Sequence, residues 1–307
     1  MTFAQSATRT LRNRDDIHVI AAITAVVAWG IGPIFNKAMS VDTPAIVFYR
    51  MVIGAPLMVA VAYRTGGGLT RELMKKTALP GLLFALSFLS GFASVKMTSI
   101  ANATLITTIQ PVLVLFVAPK MFNEHLRARQ LMYSAFSMGG VLLVVLAAAS
   151  TSGAKMSGNL MALLNVVIWT VYFILSKKRR VAGVHSWSYL AAVFVWASVF
   201  ILPFGLVASN DLGAMNSHDW VYVVAMAIGP GLVGHGLMTW AQSHVDVTLA
   251  SLLGLMSPVI STIAAWWVFE ESLTIWQILG AAVVLGSLAL LVAEQKSSAE
   301  AAIEHEV

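Results

Sequence analysis

The 307-residue chain contains no cysteine, which excludes disulfides and thiolate metal sites and leaves the compartment undecided. Charge is scarce too, at 11% of residues, far below the level of an ordinary soluble domain. Acidic residues are absent from the places where they would matter most. Asp15, Asp16, Asp42, Glu72, Glu124, Asp211, Asp219, Asp246, Glu270, Glu271, Glu294, Glu300, Glu304 and Glu306 all fall in tails, loops or the ends of apolar runs. A carrier that trades hydrophobic cations for protons needs a carboxylate within the membrane, so this class fits poorly. Metal-ligand spacings and Ser/His/Asp arrangements are also missing, so the chain reads as a non-enzyme without cofactor or metal. Gly229, Gly231 and Gly234 spell G-x-G-x-x-G, but no strand precedes them, and dinucleotide binding is rejected. Asn102-Ala103-Thr104 matches a glycosylation sequon and is read as a chance match at a helix start.

What is abundant is apolar surface. Hydrophobic residues make up 58% of the chain and mean hydropathy is +0.81. Runs of about 20 apolar residues, enough to cross the hydrocarbon layer, recur ten times: 17–38, 44–63, 77–96, 99–119, 131–150, 156–176, 186–208, 219–241, 247–268 and 274–293. The first is too long for a signal-peptide core and lacks a small-x-small cleavage site. Residues 1–16 and 294–307 form polar tails.

The net charge of +5 is distributed by side rather than gathered in a patch. With the N-terminus inside, inner segments hold Arg9, Arg12, Arg14, Arg64, Arg71, Lys75, Lys76, Lys120, Arg127, Arg129, Lys177, Lys178, Arg179, Arg180 and Lys296. Outer ends hold only Lys37, Lys96 and Lys155. That asymmetry predicts cytoplasmic termini and a lipid rather than a nucleic-acid partner. The cluster at 177–180 is also a candidate for contact with anionic lipid.

The pattern runs twice. At an offset of 147 residues Ala103, Pro111, Val112, Phe122, Glu124, Leu126, Gln130 and Gly139 meet identical residues at Ala250, Pro258, Val259, Phe269, Glu271, Leu273, Gln277 and Gly286. Pro56 and Pro203 match at the same offset, and at 140 Trp29, Ile34 and Lys37 meet Trp169, Ile174 and Lys177. Lys120, Arg127 and Arg129 face Trp267, Thr274 and Trp276, so the copies differ in loop charge. Five helices per copy, with opposite charge sidedness, predict two inverted repeats, 17–150 and 156–293, around a central site. The matched prolines Pro111/Pro258 and Pro56/Pro203 are candidate pivots, although ordinary curvature is the competing reading.

Trp29-Gly30, Lys37, Arg50, the segment Ala101 to Pro111, Glu124, Gln130 and Gly139, with their second-copy counterparts, resemble the drug/metabolite transporter superfamily. The closer likeness is to its bacterial ten-helix members with two EamA-type repeats, and most of all to the aromatic and neutral amino acid exporter branch. The resemblance covers about residues 19–293 and implies a basket lined by helices one, three, four, six, eight and nine.

Polar and aromatic residues inside the spans mark the candidate site. Asn165, Trp169, Tyr172 and Ser176 share one face of the sixth helix, and Trp29, Gly32, Pro33 and Asn36 recur in the first. Gly231, His235, Met238 and Gln242 form a stripe in the eighth. Thr107 and Gln110, Ser87, Ser90 and Ser94, and Ser251, Gly254, Pro258 and Ser261 are small or polar positions that also suit helix packing. Trp29, Asn165, Trp169, Tyr172, Gln110, His235, Met238 and Arg50 are taken as substrate contacts. For Arg50 two readings compete, snorkelling outward towards Asp42 and facing the cavity to meet a carboxylate. Lys37 and Lys96 are read as snorkelling, and His235 as a proton relay or a neutral bundle histidine.

The expectation is an all-α membrane protein of ten helices in a bacterial inner membrane, acting as a monomer. It would move small neutral or zwitterionic metabolites, amino acids including aromatic ones, by alternating access. The alternatives are a carrier of anionic metabolites using Arg50, Lys37 or Lys96, and a membrane interaction protein without transport.

Overall fold

The computed structural model describes residues 3–98, 103, 106–124, 128–148, 156–269 and 274–305. Asn102, Thr104, Leu126, Arg127, Lys155, Glu270, Glu271 and Leu273 lie outside these, as do parts of the expected spans 99–119 and 131–150. Of Arg9, Arg12, Arg14 and Lys296 only the helical backbone is described.

Every described element is helical because the apolar runs must satisfy their backbone groups internally. The helices are α1 (Phe3–Ala38), α2 (Thr43–Arg64), α3 (Arg71–Met97), α4 (Gln110–Phe122), α5 (Ala128–Ala148), α6 (Met156–Val181) and α7 (Ser186–Ala208). Then come α8 (Ser217–Met226), a π-helical stretch (Ala227–His235), α9 (Gly236–Ala241), α10 (Val247–Leu253), α11 (Met256–Phe269) and α12 (Ile275–His305). Among the described residues eight helical segments are long and apolar enough to cross a membrane, and α4 is a shorter apolar helix.

Polar caps set where the chain turns. Asp42 accepts from Ala45 N at the start of α2, and Thr70 accepts from Leu73 N at the start of α3. Asn216 and Asp219 form a reciprocal capping box on α8, which satisfies N–H groups left over at a helix start. Glu124 lies at the far end of α4 yet accepts from Val247 N (2.7 Å) and Thr248 N (3.2 Å), capping α10 from another part of the bundle.

Packing pairs α2 with α7 and α5 with α12, while α3 lies against α6 and α1 against the π stretch and α9. At the α5–α12 crossing Ser137 Oγ donates to Val284 O, and a Cβ on Gly140 would collide with Gly280 O and the Val284 backbone. Met51, Met58, Phe84, Tyr189 and Phe194 fill the interior between α2, α3 and α7. Phe116, Val207 and Trp267 are at least 74% exposed, as expected of surfaces facing lipid rather than water.

Two spans are broken. Between α10 and α11 the backbone tightens into i→i+3 bonds (Gly254 N to Ser251 O, Leu255 N to Leu252 O, Ser257 N to Gly254 O) just before Pro258. A similar bond, Ile109 N to Ile106 O, precedes Pro111 at the start of α4. The missing proline N–H explains why the ladder fails there. The eighth span widens instead into a π-helix around Pro230, the form in which a helix absorbs an extra residue, often at functional positions. Its Gly229, Gly231 and Gly234 are the residues that spelled a nucleotide-binding pattern.

Candidate functional site

The broken and widened segments surround a cavity of about 270 Å³, near the small end of the range for small-molecule sites. It lies towards the end of the bundle where α1 and α3 finish, since α1 lines it with residues 29–36 and α3 with residues 87–95.

Its apolar end is built from rings. Trp29 on α1 and Trp169 on α6 meet edge to face, 5.7 Å between centroids at 85°, a favourable aromatic geometry. His235 stands 5.2 Å from Trp29 and 5.7 Å from Trp169, with Phe84 and Phe88 also against it. Gly234 makes room for this arrangement, because a Cβ there would sit 2.7 Å from Cδ1 and Nε1 of Trp29. Trp29 Nε1 is buried without an acceptor.

The polar end is organised around α3. Arg50 lies 3% exposed with its guanidinium carbon 4.4 Å from the Phe88 centroid and 5.2 Å from that of Phe92. Its Nε has no hydrogen-bond partner. Asn36 donates from Nδ2 to Phe92 O (3.4 Å), and its Oδ1 is buried without a donor. Ser87 Oγ donates to Asn165 Oδ1 at 2.6 Å. That bond occupies the amide oxygen and leaves the amide nitrogen as the group offered to a ligand. A Cβ on Gly91 would come within 3.0 Å of that nitrogen, so glycine lets α6 approach α3 here.

Of the expected substrate contacts, Trp29, Asn165, Trp169, Gln110, His235 and Arg50 line the cavity, and Pro111 and Pro258 line it at the two breaks. Tyr172 and Met238 do not. Tyr172 shares the helical face of Trp169 but turns to Phe84, 5.1 Å away, and is buried in the core of α2, α3 and α7. Met238 is buried in the core shared by α1, α9 and α10. Ser176 and Gln242 bond each other at 2.6 Å, away from the cavity. Pro56 and Pro203 are exposed on the outside of the bundle.

The charged residues separate in a way the sequence left open. Arg50 does not snorkel: Asp42 is engaged by Ala45 N, Ser209 Oγ and Asn210 N, and Arg50 stays inside. Lys96 donates to Met39 O (2.7 Å), while Lys37 is exposed. Lys177 and Arg180 turn inward rather than towards lipid. Lys177 Nζ donates to Val245 O (2.7 Å), and Arg180 bonds Thr239 O (2.8 Å) and Ser243 Oγ (3.2 Å). Phe88 and Phe92 were not anticipated as lining residues. The available signal was Phe84, Phe88 and Phe92 at i, i+4 and i+8 on one face of α3.

Comparison with known proteins agrees with this architecture. A solved crystal structure superposes on 90% of this chain and 98% of its own with a TM-score of 0.74 at 20% identity, which shows a shared fold. An uncharacterized transporter of Archaeoglobus fulgidus is 24% identical over 270 residues, 87% of this chain and 93% of the relative. The aromatic amino acid exporter YddG of Ancylobacter novellus is 24% identical over 255 residues, covering 80% and 86%. A probable amino-acid metabolite efflux pump of Salmonella typhimurium is 22% identical over 281 residues, covering 87% and 92%. The model of the EamA-like transporter family matches twice, at residues 16–146 and 156–293. Those two matches take in most of a chain already seen to be a multi-pass helical bundle, and the protein belongs to the EamA-like transporter family within the drug/metabolite transporter superfamily.

Proposed function

We propose that the protein carries small amino-acid-like metabolites with an apolar or aromatic body across a bacterial inner membrane. Transport alternates access to the cavity between two inverted five-helix repeats, 17–150 and 156–293. The observation that carries this reading is the Trp29–Trp169 pair, which sits inside the cavity and joins residues matched by the repeat. Other groups at related positions also meet: Ser137 bonds Val284 across the 147-residue offset, and Pro111 and Pro258 follow breaks that line the same cavity. Discontinuous helices at a repeat interface are how many secondary carriers form a site that opens to either side. The names of two relatives, an aromatic amino acid exporter and an amino-acid metabolite efflux pump, support the substrate class. In this reading the indoles, with His235 packed beside them, cover the substrate side chain, and Asn165 and Gln110 contact its polar end. Pro111 and Pro258 act as pivots, whereas Pro56 and Pro203 shape the outer helices. Both termini are cytoplasmic and a monomer suffices.

The test is a panel of radiolabelled amino acids and related metabolites in proteoliposomes of purified protein, with and without a proton gradient. Saturable flux of aromatic or branched members is expected. Absence of saturable flux for every member would refute the reading.

A further inference from the structure

The polar lining of the cavity is lopsided in charge. Among the described residues that line it, Arg50 is the sole charged side chain, and no carboxylate faces it. Arg50 makes no hydrogen bond or ion pair with any described residue, although it is 3% exposed. The Phe88 and Phe92 rings attract the cation but supply no acceptor for its five N–H donors. A buried guanidinium in that condition is costly unless something else binds it. A further donor is offered in the same cavity, the Asn165 amide nitrogen, whose oxygen is already occupied by Ser87. An unpartnered acceptor in the same lining is Asn36 Oδ1, on a side chain whose Nδ2 donates to Phe92 O.

A ligand that fits this lining brings a carboxylate for Arg50 and a hydrogen-bond donor for Asn36. A zwitterion satisfies the first requirement, but its ammonium then lies a few ångströms from the guanidinium with no carboxylate of the protein to offset it. In a poorly solvated cavity that repulsion is weakly screened. A monoanion leaves the occupied cavity neutral. We propose that the cavity selects monoanionic carboxylates that carry an uncharged α-substituent and an aromatic or apolar body. Arg50 holds the carboxylate and Asn36 accepts from the α-substituent. The proposal rests on the reading that this cavity is the transport site, and it narrows the substrate class within that reading.

A matched pair of ligands isolates the charge. L-3-Phenyllactate differs from L-phenylalanine only in a hydroxyl where the amino acid has its ammonium. Both are titrated calorimetrically into purified full-length protein and tested for counterflow in proteoliposomes. The expected result is binding of phenyllactate at least about tenfold tighter than phenylalanine, because both make the carboxylate contact and only phenylalanine brings an ammonium whose repulsion by Arg50 is weakly screened. Arg50→Gln should bring that ratio to near one, while Arg50→Lys, which keeps the charge, should retain the preference with weaker affinity. Because the ratio is taken within one protein sample, reduced stability of a variant does not mimic it. If Arg50→Gln does not yield folded protein, the wild-type ratio and Arg50→Lys decide. Phenylalanine bound and carried as well as phenyllactate by the wild type would overturn the proposal and leave the transport reading standing. A preference that persists in Arg50→Gln would remove Arg50 from the role. Saturable flux of neither compound, nor of any member of the amino acid panel, would overturn both.

Discussion

One methyl group at Gly234 tests the aromatic end of the cavity. Its Cβ would stand 2.7 Å from Cδ1 and Nε1 of Trp29 and 3.4 Å from Ala25 O. Carbon contacts settle near 3.5–4.0 Å, so Gly234→Ala requires the indole or the helix to yield by about 1 Å. The indole has little room, with Trp169 and His235 at 5.7 and 5.2 Å between ring centroids. Overpacking of this kind costs about 1–3 kcal/mol and should lower the Tm of the solubilised protein. A displaced indole also loses its contact with a bound ring. Such a contact is worth about 0.5–1.5 kcal/mol, so affinity for an aromatic ligand should fall by roughly threefold to tenfold. Gly229→Ala is the internal control, since it lies in the same π-helical stretch and its Cβ would meet nothing within 4 Å. The chain holds nine tryptophans, so affinity is best read by calorimetry rather than by total fluorescence. Equal affinity in Gly234→Ala, Gly229→Ala and wild type, in monodisperse protein, would show that Trp29 does not touch the substrate.

Arg180→Met should lower Tm by the loss of two charge-assisted bonds, about 1.5–3 kcal/mol for a buried charged donor, whereas Lys178→Met, at an exposed position, should not. Equal melting of the two variants would argue that Arg180 does not clamp α6 to α9. Glu124→Ala strips the cap from Val247 and Thr248 and should destabilise by about 0.5–2 kcal/mol, with Glu124→Gln milder; an unchanged Tm for both would refute the capping role. The absence of native cysteine allows clean single-cysteine labelling in cells. A cysteine replacing exposed Asn210 should react with an impermeant maleimide from outside, and one replacing exposed Lys75 only after permeabilisation; the reverse pattern would invert the proposed topology.

Much of the architecture was legible before any coordinates. Apolar run length reports directly on transfer free energy, so the spans at 44–63, 186–208 and 247–268 coincide closely with helical segments. The 140-residue offset brought Trp29 and Trp169 together as candidates because a repeat places matched residues about a common axis. Their contact follows from packing α1 and α6 around the same cavity. The breaks before Pro111 and Pro258 were visible as prolines, since a missing N–H is a local property.

Other features required the tertiary structure. Helical spacing groups Tyr172 with Trp169, but the neighbouring Phe84 takes Tyr172 into the core while Trp169 reaches the cavity. Met238 shares a stripe with His235, yet packing against α1 buries it. The π-helical turn around Pro230 has no signature in hydropathy, which does not distinguish a kink from a widened turn. Nor could hydropathy decide between a snorkelling and a cavity-facing Arg50, because α2 is apolar on every side. Phe88 and Phe92 decide it, and they come from α3, many residues away. The sequence by itself determined that eight of the described segments are long and apolar enough to cross a membrane and that the family pattern occurs twice, since both follow from local composition and periodicity. Which polar groups remain unpaired around the cavity was decided only by how the helices pack, because a hydrogen-bond partner such as Ser87 for Asn165 is supplied by a distant helix.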